Sequence, residues 1–120
     1  MSENILQKII DQKKTKIEKL KLEIDIKSLL RKIAEKNVFF DFKKKIQTKN
    51  SENKISIIAE IKKASPSAGI LIDDYDPVKI AKIYNSKNVT CLSVLTEEDF
   101  FLGNLSHISE IKKKIELPIL

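Results

Sequence analysis

Ile57–Gly69 reads IIAEIKKASPSAG, and it sets a carboxylate and an ammonium inside a short run that is otherwise β-branched and apolar. The spacing predicts a strand over Ile55–Lys62. Side chains alternate faces along a strand, so Ile58, Glu60 and Lys62 share one face while Ile57, Ala59 and Ile61 share the other. In a parallel sheet covered by helices the apolar set is the natural packing surface, and Glu60 and Lys62 point the opposite way. A rise of about 3.3 Å per residue puts their α-carbons about 6.5 Å apart, within reach of one small molecule. SPSAG then reads as turn chemistry, with Pro66 restricting φ and Gly69 permitting backbone that other residues resist.

Working downstream, Asp76 followed by Pro77 is a helix start: the carboxylate accepts from free first-turn N–H groups, and proline at the first helical position loses nothing. That helix is expected over Pro77–Ser86. VTCLSVL, Val89–Leu95, is a second compact apolar strand, Asn104 or Ser106 starts a helix reaching about Ile115, and Leu117–Leu120 begins a third strand. Upstream, Asn4 to about Asn37 places Ile5, Ile9, Ile17, Leu20 and Ile24, then Ile26, Leu29, Leu30, Ile33 and Ala34, at helical spacing with charges on the other face. Asp25 is a candidate cap for a second helix. Phe40–Ile46 reads as helical, and QTKNSEN, Gln47–Asn53, as a polar linker.

The order is therefore two helices, then β-α-β-α-β. Strands alternating with helices of this length indicate parallel βα units, the beginning of either an open Rossmann-like sheet or a (β/α)8 barrel. SPSAGI lacks the glycine spacing of a dinucleotide fingerprint, which argues against the first as a nucleotide-binding fold. At the carboxyl end of a barrel strand, an acid and a base are the expected makings of an active site.

Bulk properties narrow the classes further. The chain has 120 residues, 42% hydrophobic and 33% charged, with a formal charge of +6. Such a length supports one domain or less, and the positive balance favours an anionic ligand. Neither a signal pattern nor an apolar run of membrane-spanning length is present, and the single Cys91 has no internal partner for a disulfide. A cytoplasmic setting is expected, with no membrane partner.

Three segments together carry a resemblance: I-I-A-E-I-K-K-A-S-P-S with G-I-L after it, then D-Y-D-P-V-K-I-A-K-I-Y, then L-S-V-L-T-E-E-D-F-F-L-G. In order and spacing they resemble the indole-3-glycerol phosphate synthase family across essentially the whole chain, and E-x-K-x-x-S-P-S is the most specific part. The resemblance implies an α/β fold, the N-terminal part of a (β/α)8 TIM barrel with a helical N-terminal extension. Residues 1–48 would be the extension, and 54–120 the first β-α-β-α-β portion, incomplete at its carboxyl end. It implies decarboxylating ring closure of 1-(o-carboxyphenylamino)-1-deoxyribulose 5-phosphate to indole-3-glycerol phosphate in tryptophan biosynthesis, with no cofactor and no metal. Lys62 matches a lysine that contacts the substrate carboxylate, and Glu60 its acidic partner. Ser65 matches a position close to the substrate phosphate, and Phe101 an aromatic residue that packs on the anthranilate ring.

Two departures accompany the match. Ala68 stands where the family often has lysine, and the sequence ends at L-P-I-L, ahead of the K-D-F lysine that serves the family as general acid. On this reading the polypeptide is an amino-terminal fragment, inactive alone, whose partners are the anionic phosphosugar–anthranilate substrate and the remainder of the barrel, or a fused isomerase domain. The alternatives are another phosphosugar barrel such as phosphoribosylanthranilate isomerase, which leaves E-I-K before S-P-S unexplained, and a basic helical module for nucleic acid or a protein partner. Interleaved acids and the lack of a basic–aromatic platform argue against nucleic acid. Cys91 reads as a small core residue, Asp73 and Asp74 as solvated loop acids, and the lone His107 supports neither a metal site nor a triad.

Overall fold

The computed structural model describes residues 4–120. They form two compact units, dividing between Phe39 and Phe40.

The first unit is a pair of helices. α1 (Ile5–Glu23) is capped by Asn4, whose Oδ1 accepts the Leu6 N–H at 3.1 Å. It ends at Ile24, where the backbone turns extended, and Asp25 opens α2 (Ile26–Ala34) by accepting the Ser28 N–H at 2.8 Å. Neither helix buries a residue among those described.

The second unit begins with α3 (Phe42–Ser51), capped by Asp41 through the Lys44 N–H at 2.9 Å. Here the structure departs from the expected linker, because the helix continues through most of the polar stretch. Gln47 and Lys49 are good helix formers, and the weaker Thr48, Asn50 and Ser51 are carried along once a cap has started the helix and no glycine or proline interrupts it. What ends it is Asn53 in the left-handed region, φ 54°. The Asn53 N–H donates to the Asn50 C=O and the Lys54 N–H to the Lys49 C=O, both at 3.0 Å. This is the six-residue closure that satisfies last-turn carbonyls, and asparagine is the residue other than glycine best suited to it.

β1 is Ile58–Ile61, shorter than expected, followed by a small antiparallel hairpin of β2 (Ala64–Ser65) and β3 (Gly69–Ile70). Gly69 has φ 67°, which a glycine adopts freely, so SPSAG makes the turn its composition predicts. α4 (Pro77–Ser86) starts as expected, with Asp76 accepting the Lys79 N–H at 3.0 Å and proline in the first turn. It ends like α3: Asn88, φ 59°, donates to the Asn85 C=O, and the chain enters β4 (Cys91–Val94). α5 (Ser106–Lys112) ends before Ile115, which is nonetheless buried.

β1 and β4 pair in parallel, with Glu60 opposite Ser93 and Ile61 opposite Val94. Ile119 bridges to Leu92 in parallel, supported by the Leu92 N–H to the Pro118 C=O and the Val94 N–H to the Leu120 C=O, each 2.9 Å. The third extended segment thus joins the far side of β4 rather than β1. That order excludes the flavodoxin-like 2-1-3 arrangement, in which the third strand would flank the first.

One sheet face carries the core. Ala59, Ile61, Leu92 and Val94 pack with Ala81 of α4 and with Ile111, Ile115 and Leu117. Ile61, Leu92 and Ile111 are fully buried, each contributing about 1.5–3 kcal/mol of apolar transfer. Ile57 departs from the expected packing face: it is 51% exposed, because it lies ahead of the paired strand. Its backbone is held instead by Thr90, which is 1% exposed and accepts the Ile57 N–H through Oγ1 at 2.9 Å, while the Thr90 N–H donates to the Ile57 C=O at the same distance. Thr90→Val keeps the shape and leaves that part-buried N–H without its acceptor. It is expected to destabilise the fold by about 1–3 kcal/mol, readable as a lower urea midpoint with an unchanged slope.

Candidate active site

Strand alternation leaves Ile58 and Glu60 of β1, and Cys91 and Ser93 of β4, on the face opposite the core. The two ends of that face differ. At the amino-terminal end Cys91 is buried against α3, its Sγ 4.0 Å from the Phe42 carbonyl. Burial pushes the Cys91 thiol pKa up, with Lys45 partly opposing it, so the thiolate a nucleophile requires is disfavoured. At the carboxyl end Glu60 is exposed and Ser93 half-buried.

Lys62 follows directly on β1, and its Nζ lies 2.9 Å from Glu60 Oε1, with side chains 31% and 50% exposed respectively. The alternation that separates them by two residues puts both on one face, and their lengths let the heads meet. An ion pair this open to water adds about 0–1 kcal/mol to stability, so stability is a weak reason for its placement. Below it, the Tyr84 hydroxyl of α4 donates to the Glu60 carbonyl at 3.0 Å. In a parallel strand each residue directs its N–H and C=O to the same neighbour. The Ile57 and Ile61 carbonyls accept from residues of the β4 side, so Glu60 faces the other edge of β1, where Tyr84 satisfies it.

Ser65 lies in the hairpin that follows β1. Its Oγ accepts the Ala68 N–H at 3.2 Å and sits 3.5 Å from Ser67 Oγ, so the SPS hydroxyls gather inside one tight turn. Phe101 lies in the corresponding loop after β4, half-buried. Parallel pairing sends both loops out from the same end of the sheet, the end that holds Glu60 and Lys62.

The loop after β4 depends on residues that the sequence did not single out. The Glu97 carboxylate accepts the Asp99 N–H at 2.9 Å on one oxygen, and the Phe100 and Phe101 N–H groups at 2.7 and 3.1 Å on the other. Its own carbonyl accepts the Gly103 N–H at 2.8 Å. Between these anchors Leu102 is held at φ 52°, a left-handed conformation that costs a residue with a side chain about 1–2 kcal/mol. Hydrogen bonds to a charged acceptor contribute about 1.5–3 kcal/mol each, enough for three of them to hold the strained turn. Gly103 closes the turn under a tight constraint: a Cβ there would meet the Leu95 carbonyl oxygen at 2.1 Å. The legible signal was an acid two to four residues ahead of several loop N–H groups.

Among the described residues no group of three or more His, Cys, Asp and Glu is arranged to hold a metal ion, and no helix is long and apolar enough to cross a membrane. Tyr75, which packs against the core, meets His107 edge to face with ring centroids 5.7 Å apart.

Fold and site together define a class: an α/β protein with parallel βα units that gathers charged and polar groups at the carboxyl ends of its strands. The family described as indole-3-glycerol phosphate synthase matches residues 6–120, and the chain belongs to that family. It is 42% identical over 116 residues to the indole-3-glycerol phosphate synthase of Desulforamulus reducens, covering 97% of this chain and 43% of that protein. The synthase of Thermoanaerobacter pseudethanolicus is 43% identical over 116 residues, with 97% and 43% covered. That of Microcystis aeruginosa is 37% identical over 118 residues, with 98% and 39% covered. The chain therefore spans about two-fifths of the length of the curated relatives it matches.

Proposed function

We propose that these residues form the first βα units of a (β/α)8 barrel that acts as an indole-3-glycerol phosphate synthase. The observation that carries the reading is the Glu60–Lys62 pair, 2.9 Å apart on the face opposite the core, at the carboxyl end of β1. In barrels of this class the active site is built at that end.

The reaction closes a ring. The aromatic carbon bearing the carboxylate of 1-(o-carboxyphenylamino)-1-deoxyribulose 5-phosphate attacks the ketone carbon, the ketone oxygen takes a proton, and the carboxylate leaves as carbon dioxide. Departure of the carbon dioxide restores the benzene ring, and loss of the resulting hydroxyl as water, with a proton from the adjacent ring CH2, completes the pyrrole ring of indole-3-glycerol phosphate. An ammonium that holds the carboxylate aligns the attacking carbon and draws substrate into place, which is the role of Lys62. Glu60 orients that ammonium and accepts from substrate hydroxyls. The SPS turn, with Ser65, offers hydroxyl and N–H donors to the phosphate, and Phe101 packs on the anthranilate ring. Residues 1–48 serve as the helical N-terminal extension and 54–120 as the first β-α-β-α-β portion of the barrel, and the setting is the cytoplasm.

The complete barrel carrying these residues, incubated with the carboxyphenylamino substrate, is expected to form indole-3-glycerol phosphate, detected by its indole fluorescence, with one carbon dioxide per product. A protein that shows folded α/β circular dichroism yet forms no product overturns the proposal.

A further inference from the structure

The loop carrying Phe101 is held by a group that the ring closure itself does not use. Glu97 binds it at four points: three N–H groups on its carboxylate and the Gly103 N–H on its carbonyl. One carboxylate oxygen serves the aromatic pair, since Oε2 accepts from the Phe100 and Phe101 N–H groups together, at 2.7 and 3.1 Å. A carboxylate that accepts from two consecutive amides fixes the peptide plane between them, and that plane sets the direction in which the Phe101 Cβ leaves the backbone. The strained φ of 52° at Leu102 immediately follows. Strain of this kind persists only where the surroundings over-determine it. Without the carboxylate, Leu102 relaxes toward ordinary backbone and carries Phe101 with it.

We infer that Glu97 is a positioning residue of the site: it acts through Phe101, fixing the ring against which the aromatic part of the substrate packs. The inference rests on the ring-packing role proposed for Phe101. An alanine removes all three side-chain acceptors. Glutamine keeps one acceptor oxygen, enough for the Phe100 and Phe101 amides, but turns a donor NH2 toward the Asp99 N–H.

The test compares wild type, Glu97→Ala, Glu97→Gln, Phe101→Ala and the Glu97→Ala/Phe101→Ala double variant in the complete barrel. Loss of a substrate-packing surface acts on binding, so Glu97→Ala and Phe101→Ala are each expected to raise KM about tenfold with kcat within about threefold of wild type. The double variant should be no worse than Phe101→Ala alone, because both remove the same contact, and Glu97→Gln should recover most of the affinity. An unchanged KM in Glu97→Ala, or effects of the two single changes that multiply in the double variant, overturns the inference. Amide hydrogen exchange on the same proteins separates the two readings. Exchange at Phe100 and Phe101 should speed up about tenfold or more in Glu97→Ala while Ile61 stays unchanged. Equal exchange in wild type and Glu97→Ala refutes the role of Glu97 whatever the turnover. Faster exchange with no ring closure in wild type refutes the assigned reaction and leaves the hold of Glu97 on the loop established.

Discussion

Replacing Lys62 with alanine in the complete barrel proposed above is expected to lower kcat/KM for the proposed ring closure by about 10²- to 10⁴-fold, the range typical when a positioned charged or proton-transferring group is removed. The same change should move the unfolding free energy by no more than about 1 kcal/mol. The reason is the geometry of the pair: Lys62 Nζ meets Glu60 Oε1 at 2.9 Å, but both side chains remain in contact with water. Such a pair gives little stability, so its loss is felt almost wholly by an anionic substrate. Lys62→Arg keeps the charge and is expected to recover only part of the rate, since a planar guanidinium presents its donors differently from a compact ammonium. A Lys62→Ala enzyme with wild-type kcat/KM would remove the lysine from the chemistry. A large fall in stability with proportionate loss of activity would instead make the ion pair structural.

The second large effect is on structure. Gly103→Ala is expected to destabilise the protein by about 3 kcal/mol, or to displace the whole loop from Leu95 to Asn104, because the new methyl would lie 2.1 Å from the Leu95 carbonyl oxygen and 2.8 Å from both the Leu95 carbonyl carbon and the Thr96 Cα. All three obstacles are backbone atoms of the chain leaving β4, so no side-chain rotation relieves the clash. Gly69 is the contrasting case: its added Cβ would meet nothing within 4 Å, but its φ of 67° disfavours any side chain. Gly69→Ala should therefore cost about 1–2 kcal/mol, purely as backbone strain. A urea titration of the two variants that finds Gly103→Ala the milder change would contradict the tight packing of the Phe101 loop.

These two expectations divide along the line between local and tertiary information. The helix starts at Asp25 and Asp76 were legible because a cap is a contact between residues two or three apart. The faces of β1 were legible because alternation is a property of the strand alone, and the pair of Glu60 and Lys62 follows from it. The resemblance carried by E-I-K and S-P-S was also visible in the chain order, and the family match bears it out. The polar stretch Gln47–Asn53 misled, because the residue that ends α3 does so through a left-handed backbone closed by hydrogen bonds, which composition does not display.

What the sequence by itself determined is the kind of protein: parallel βα units, a charged strand end and membership of a synthase family. Only the tertiary structure decided how the site's walls are held. Thr90 anchors Ile57 from thirty-three residues away, Tyr84 satisfies the edge carbonyl of Glu60, and α3 covers Cys91 while leaving the opposite end of the same face open. Glu97 and Gly103 belong with them. Their importance lies in where backbone N–H groups and a carbonyl oxygen come to rest once β4 has paired with β1, and side-chain type and spacing along the chain do not encode that position until the sheet has formed.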